Sequence, residues 1–225
     1  MAVTAPVATA RDADPPQRLR LVVTQSYAAD SAIRDGRVIE GDFAIRRVAP
    51  FPSRRLARRL LAHAGATLVD EENAPADGVL AIDVDGTALG RLYDIMENMQ
   101  RGRSLRFNGA LVRGELSLDT GAGTVCVARF AGAVVPGAGI QMSPSRDLRE
   151  DPGFAPFDKA FDQPGSLVAA LAMLVGEVYR RAALTAAQHD ADKRIARHAE
   201  AALERLAGDG EEGAARPMPT VDCRS

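Results

Sequence analysis

From Val112 to Leu118 apolar and polar residues alternate with a period of two. Val112, Gly114, Leu116 and Leu118 fall on one side, Arg113, Glu115 and Ser117 on the other, and Thr124 to Val134 is a second β-rich run. Between the runs, Asp119 to Gly123 is a Gly-containing loop of ordinary hairpin length. Val79 to Asp85 alternates in the same way, with Leu80, Ile82 and Val84 on one face. Strands of this kind bury one face and leave the other wet, so the chain has to supply a covering layer on one side only.

The remaining elements follow from local signals. Arg18 to Gln25 reads as an apolar strand that starts the ordered core. Asp35-Gly36 marks a turn, and Arg37 to Val48 reads as one or two short exposed strands, ended by Pro50 and Pro52. Ser53 is placed to cap a helix from Arg54 to Ala64. Leu56, Ala57, Leu60, Leu61 and Ala64 share one stripe of that helix, Arg54, Arg55, Arg58 and Arg59 the other, and Gly65 ends it. Thr67 to Val69 is a short strand, joined by the acidic segment Asp70 to Asp77 to the strand at Val79. Arg91 to Arg103 is polar and reads as a loop with a helical turn.

Pro136 to Gly165 lacks periodicity and is punctuated by prolines; loops of this length are usually functional or mobile. Ser166 then caps a helix to about Ala187, with Leu167, Leu171, Leu174, Val175 and Val178 as its buried stripe. A second helix runs from Asp192 to Leu206, and Gly208 to Ser225 reads as a disordered tail.

Apolar content of 46% supports a real core in a 225-residue chain, although aromatics are only 4% and Trp is absent. A net charge of −2 argues against bulk attraction to nucleic acid or membrane, and no run reaches the length of a membrane span. Cys126 in a predicted strand and Cys223 in the tail make neither a disulfide framework nor a zinc site. They can pair only if the tail folds back on the hairpin.

Two short stretches carry catalytic signatures. Ile82-Asp83-Val84-Asp85-Gly86-Thr87 resembles the nucleophile strand of haloacid-dehalogenase-type phosphatases, which implies Asp83 as nucleophile and Asp85 as general acid/base beside Mg²⁺. That chemistry also needs a downstream lysine and a late pair of acids. The two lysines, Lys159 and Lys193, stand in no such context. Leu118-Asp119-Thr120-Gly121-Ala122-Gly123 resembles the active-site turn of retroviral-type aspartic proteases, where Asp119 pairs with its copy in a homodimer. A flap hairpin and a bracing apolar-apolar-Gly segment should follow, and Pro136 interrupts the nearest candidate, Val134-Val135-Pro136-Gly137. Both stretches are therefore read as structure: a half-wet strand and a hairpin loop.

Two other resemblances concern architecture. Leu184 to Leu206, with Asp190-Ala191-Asp192 at the turn and Ile195, Ala199, Ala202, Leu203 and Leu206 spaced behind it, resembles the end of a HEAT-type helical repeat. A single repeat implies a helical hairpin packed on the main domain. The order helix, Gly65, short strand, acidic loop and apolar strand over Arg54–Leu89 is similar to small α/β domains of bacterial envelope lipoproteins that assist outer-membrane or transporter assembly. It implies a protein- or lipid-handling role without catalysis. Those lipoproteins carry a lipidated N-terminal Cys, which the start of this sequence lacks.

Other polar groups read as structure. The arginines of Arg46 to Arg59 form a solvated helix face with only Phe51 available for stacking. His189 and His198, with Asp190 and Asp192, straddle a helix start and lack the i, i+4 spacing of a metal pair. Ser166 follows a Gly, but the full nucleophile-elbow pattern is absent and capping accounts for it.

The expectation is an α+β fold: an antiparallel or mixed sheet of about five strands with covering helices and a C-terminal helical hairpin. Residues 1–17 form a lead-in, 18–135 the sheet domain, 136–165 a Pro-rich loop, 166–207 the helical pair and 208–225 a disordered tail. The expected function is a non-catalytic module that contacts another protein, with no metal or cofactor; the alternative is the Mg-dependent phosphohydrolase using Asp83 and Asp85. Ile140, Met142, Phe154, Phe157 and Phe161, set among prolines, are the expected partner anchors. The compartment is expected to be the periplasmic side of the cell envelope if a signal segment precedes this start, since Ala8-Thr9-Ala10 has the form of a processing triplet, and the cytoplasm otherwise.

Overall fold

A computed structural model describes residues 14–35, 37–45, 53–69, 74–97, 100–137, 155–207 and 218–224. The chain runs β1 (Arg18–Arg34), β2 (Arg37–Ala44), α1 (Ser53–His63), β3 (Thr67–Val69), β4 (Gly78–Glu97), β5 (Gln100–Asp119), β6 (Val125–Val134), α2 (Ala155–Phe161), α3 (Leu167–Ala187), α4 (Lys193–Ala207) and β7 (Val221–Arg224). The fold is α+β, and its sheet is larger than the five strands expected. Among the described residues seven strands make up the sheet, in the order β2-β1-β4-β5-β6-β7 with β3 beside the start of β1.

The sheet is mixed. β1 runs parallel to β3 and β4, which is possible because β2, α1 and β3 return the chain to the starting end before β4 begins. All other pairings are antiparallel. β4 and β5 are 20 residues each and pair from Val79↔Asp119 out to Glu97↔Gln100, so residues 91–97 and 100–103, within the stretch Arg91 to Arg103 expected as a loop, belong to the far half of these two strands. β1 likewise continues past Gln25 to Arg34 and turns into β2. Asp30 Oδ1 accepts the Gly90 N–H at 2.7 Å, at the bulge between Leu89 and Gly90 and just past the last β1–β4 pair, Ala29↔Ala88.

All four helices among the described residues take part in the layer on one face. The inward residues Leu19, Leu80, Ile82, Val84, Leu116 and Leu118 form one core with Leu56, Leu60 and Leu61 of α1 and Leu167, Leu171 and Leu174 of α3. α1 ends as its sequence dictates. Gly65 adopts φ +75°, its N–H reaches the Ala62 carbonyl at 3.1 Å, and the Ala66 N–H reaches Leu61 at 3.0 Å. α3 kinks at Arg180, where φ is 70°. Ser166 sits at its N-cap position but makes no capping bond: the hydroxyl is fully buried and its oxygen has no hydrogen-bond partner, which corrects the capping expectation.

Two further expectations are corrected. The tail is not wholly irregular: Val221–Arg224 adds a strand to β6, and Cys223 is disulfide-bonded to Cys126, its register partner. The Pro-rich loop contains a helix, α2, whose Phe157 and Phe161 are fully buried. Phe157 packs edge-on against Tyr27, with ring centroids 5.0 Å apart.

Candidate functional site

The helices cover one face of the sheet, so the chemistry-bearing residues of β4 and β5 project from the other. Asp83 and Asp85 alternate with the buried Ile82 and Val84 and are exposed on this outer face. Register sets their neighbours. Asp83 lies between Thr24 of β1 and Glu115 of β5, and Asp85 between Ser26 and Arg113. Asp85 accepts a hydrogen bond from the Ser26 hydroxyl and stands 3.9 Å from Arg113 Nε; Glu115 accepts from Arg129 Nε at 3.0 Å. A charged belt thus crosses the sheet, in which Asp85 and Glu115 have basic or hydroxyl partners along the surface.

This placement differs from what the phosphatase motif requires. β4 continues from Asp85 to Glu97 without a break, so the two aspartates stand mid-strand rather than at a strand end facing a loop. Gly86, the motif's glycine, points inward, where a Cβ would lie 2.5 Å from Tyr27 and 2.9 Å from Phe157. It is small because a core ring needs the space. Among the described residues no group of three or more His, Cys, Asp or Glu side chains converges as a metal site would.

The protease-like turn is a hairpin loop. Asp119 ends β5, and its Oδ1 accepts the Gly121 N–H at 2.8 Å. The Thr120 N–H and hydroxyl both bond the Thr124 carbonyl, and Gly121 and Gly123 take positive φ. Asp119 is paired with Val79, four positions along the strand from Asp83, so the two aspartates lie about 14 Å apart on the same face, four residues along and one strand across.

Apolar residues flank the charged belt. Val22 of β1 is 45% exposed, Leu111 of β5 46% and Val125 of β6 38%, all on the outer face. Register puts Leu111 opposite Ala133 and Thr87 at one end, and Val22 opposite Ala81 towards the other. Between them Val22, Thr24, Ala81, Asp83, Glu115 and Ser117 line an open depression of about 440 Å³. The gap between α1, α3 and the sheet holds only about 10 Å³, room for one water at most.

Of the five expected anchors, Ile140, Met142 and Phe154 lie outside the described residues. Phe157 and Phe161 are core, because α2 lays them against the sheet. The outer-face residues Val22, Leu111 and Val125 were not singled out from sequence. The signal was present, as apolar residues on the polar side of otherwise alternating strands.

The histidines and their acids serve the helical layer. Asp190, at the α3–α4 turn, accepts bonds from Arg59 and from His63 (2.7 Å) of α1. Burial opposes its ionisation, but these bonds outweigh it and hold its pKa down to about 2. Asp162, just after α2, pairs with Arg197 and with the buried His198 of α4, which together lower its pKa against the pull of burial. Asp158 of α2 pairs with Arg194 at 2.8 Å. These ions clamp α4 and the α3–α4 turn to α1 and α2. No family model, curated protein or solved structure matches this chain.

Proposed function

We propose that this chain is a non-catalytic binding or assembly module that contacts another protein through the outer face of its sheet. The observation that carries the reading is the one-sided layering: every described helix lies on the inner face, while Val22, Leu111 and Val125 remain more than a third exposed on the other. Single exposed apolar side chains are ordinary, but several large ones flanking one charged belt on one rigid sheet fit a contact surface. The belt supplies orientation through Asp83, Arg113, Glu115 and Arg129, the apolar ends supply area.

The Cys126–Cys223 bond supports placing this work in an oxidising compartment, the periplasmic side of a bacterial envelope, since such bonds are rare where thiols are kept reduced. A photo-crosslinking residue at position 111 in living cells, with the exposed Glu200 as control site, tests the reading. The expected result is a discrete adduct from position 111 alone, lost when Val22 is changed to Glu while the melting temperature holds. Equal adducts from both positions, or none from position 111, would count against it.

A further inference from the structure

We propose that β7 is a latch on a strand-binding edge: its disulfide holds the chain's own C-terminal strand on β6, and reduction frees that edge to accept an extended segment of a protein partner. The β6 edge is a different surface from the outer face of the sheet.

β7 pairs with β6 over four positions only, from Val125↔Arg224 to Ala128↔Val221. A four-residue edge strand is marginal by itself. Among the described residues its other supports lie toward its N-terminal end, where Pro219 is buried. Met218 and Val221 rest partly buried on the core and α3 touches the strand, whereas the Asp222–Arg224 ion pair lies within β7 and ties it to nothing. The covalent link ties down its exposed half, joining residues 97 apart.

The link is asymmetric. Cys126 is buried, 3% exposed, and Cys223 is exposed at the rim. A dithiol reductant therefore meets Cys223 first. Its thiolate attacks Cys223 Sγ, the Sγ–Sγ bond breaks, and Cys126 leaves as a thiolate that takes up a proton. The reductant's second thiol then displaces Cys223, leaving two protein thiols and an oxidised, cyclic reductant, a transfer of two electrons and two protons.

The exposed edge would be a receptor of defined chemistry. Ala131 donates its N–H away from β5, to the Gly165 carbonyl at 3.1 Å. With a period of two and no bulge in the β5–β6 register, the N–H groups of Val125 and Val127 point the same way, toward β7. Release of β7 leaves these donors unpaired beside a groove that had held Val221. An incoming strand with an apolar side chain at the Val221 position and charged or polar residues at the positions of Asp222 and Arg224 restores the ladder.

Amide hydrogen exchange on the full chain tests this, oxidised against reduced in dithiothreitol, with the full-length Cys223→Ser variant as a second route to the open state. The expected result is at least about a tenfold loss of protection at Val125 and Val127 in both open forms, with Cys126 and Ala128, whose amides face β5, unchanged. A labelled peptide of residues 218–224 carrying Cys223→Ser should then bind the reduced protein and not the oxidised one. Unchanged protection at Val125 and Val127 overturns the proposal. So does loss at all four amides, which marks the bond as a global staple. A peptide bound by both redox forms, or by neither, overturns it as well.

Discussion

Gly86 and Phe157 share one space in the core: a Cβ on Gly86 would stand 2.9 Å from Cε1 of the Phe157 ring, and still closer to Tyr27. The glycine of a catalytic-looking motif and an aromatic from a Pro-rich segment are thus a packing pair. Gly86→Ala should destabilise the fold by about 1–3 kcal/mol through overpacking, and Phe157→Ala by about 3–5 kcal/mol through the cavity it leaves. Urea unfolding reads both. A Phe157 variant that keeps its midpoint would return that residue to the list of partner anchors.

Against the pull of burial, the hydrogen bonds from Arg59 and His63 hold the Asp190 carboxyl down to about 2, below the ordinary carboxylate range. A depressed carboxylate pKa contributes stability above the unfolded value, and that contribution is lost as pH falls through the folded one. The clamp of Arg59 and His63 on the α3–α4 turn is therefore intact above about pH 4 and weakens from there towards pH 2. Melting temperatures across that window should fall less steeply for Asp190→Asn than for the wild type. Parallel curves would show that the pair carries no coupling to folding.

Ser166 separates two accounts of the α3 start. A working cap lost to Ala costs about 0.5–2 kcal/mol, whereas removing a buried hydroxyl that bonds nothing is neutral or stabilising. Its oxygen is buried without a partner, so Ser166→Ala is expected to hold or raise the melting temperature. The adjacent contact agrees: a Cβ on Gly132 would meet Ser166 Oγ at 2.8 Å, so the site is tight.

The β5–β6 hairpin is legible in the sequence because its signals are local: alternation about one buried face, and a loop whose Asp119 and glycines close it. The far half of the β4–β5 hairpin is not. Arg91, Leu92, Asp94 and Arg103 are all exposed there, so the contrast between a buried and a wet face that reveals a strand is weak. β7 is four residues long, and its partner strand lies 97 residues away between the two cysteines, a pairing no local window contains. For Phe157 and Phe161, the sequence showed apolar weight among prolines. Whether that weight turns inward depends on Gly86, and on Asp158 and Asp162 finding Arg194, Arg197 and His198, all distant in the chain.

Asp83 decides between surface and chemistry. Register sets it beside Glu115, which is itself paired with Arg129, so Asp83→Asn removes one of two adjacent like charges on an exposed strand. Such a change is expected to alter stability by no more than about 0.5 kcal/mol, with relief of repulsion favouring the variant. A Mg²⁺ site built on Asp83 and Asp85 behaves differently. Metal bound to the folded state alone raises the melting temperature in proportion to its occupancy, and loss of a ligand abolishes that rise. Thermal melts of wild type and Asp83→Asn, each with and without millimolar Mg²⁺, separate the two. The binding-module reading expects no Mg²⁺-dependent shift in either protein. A rise in the wild type that Asp83→Asn abolishes would instead make Asp83 a ligand, and hydrolysis of a phosphate ester the next measurement.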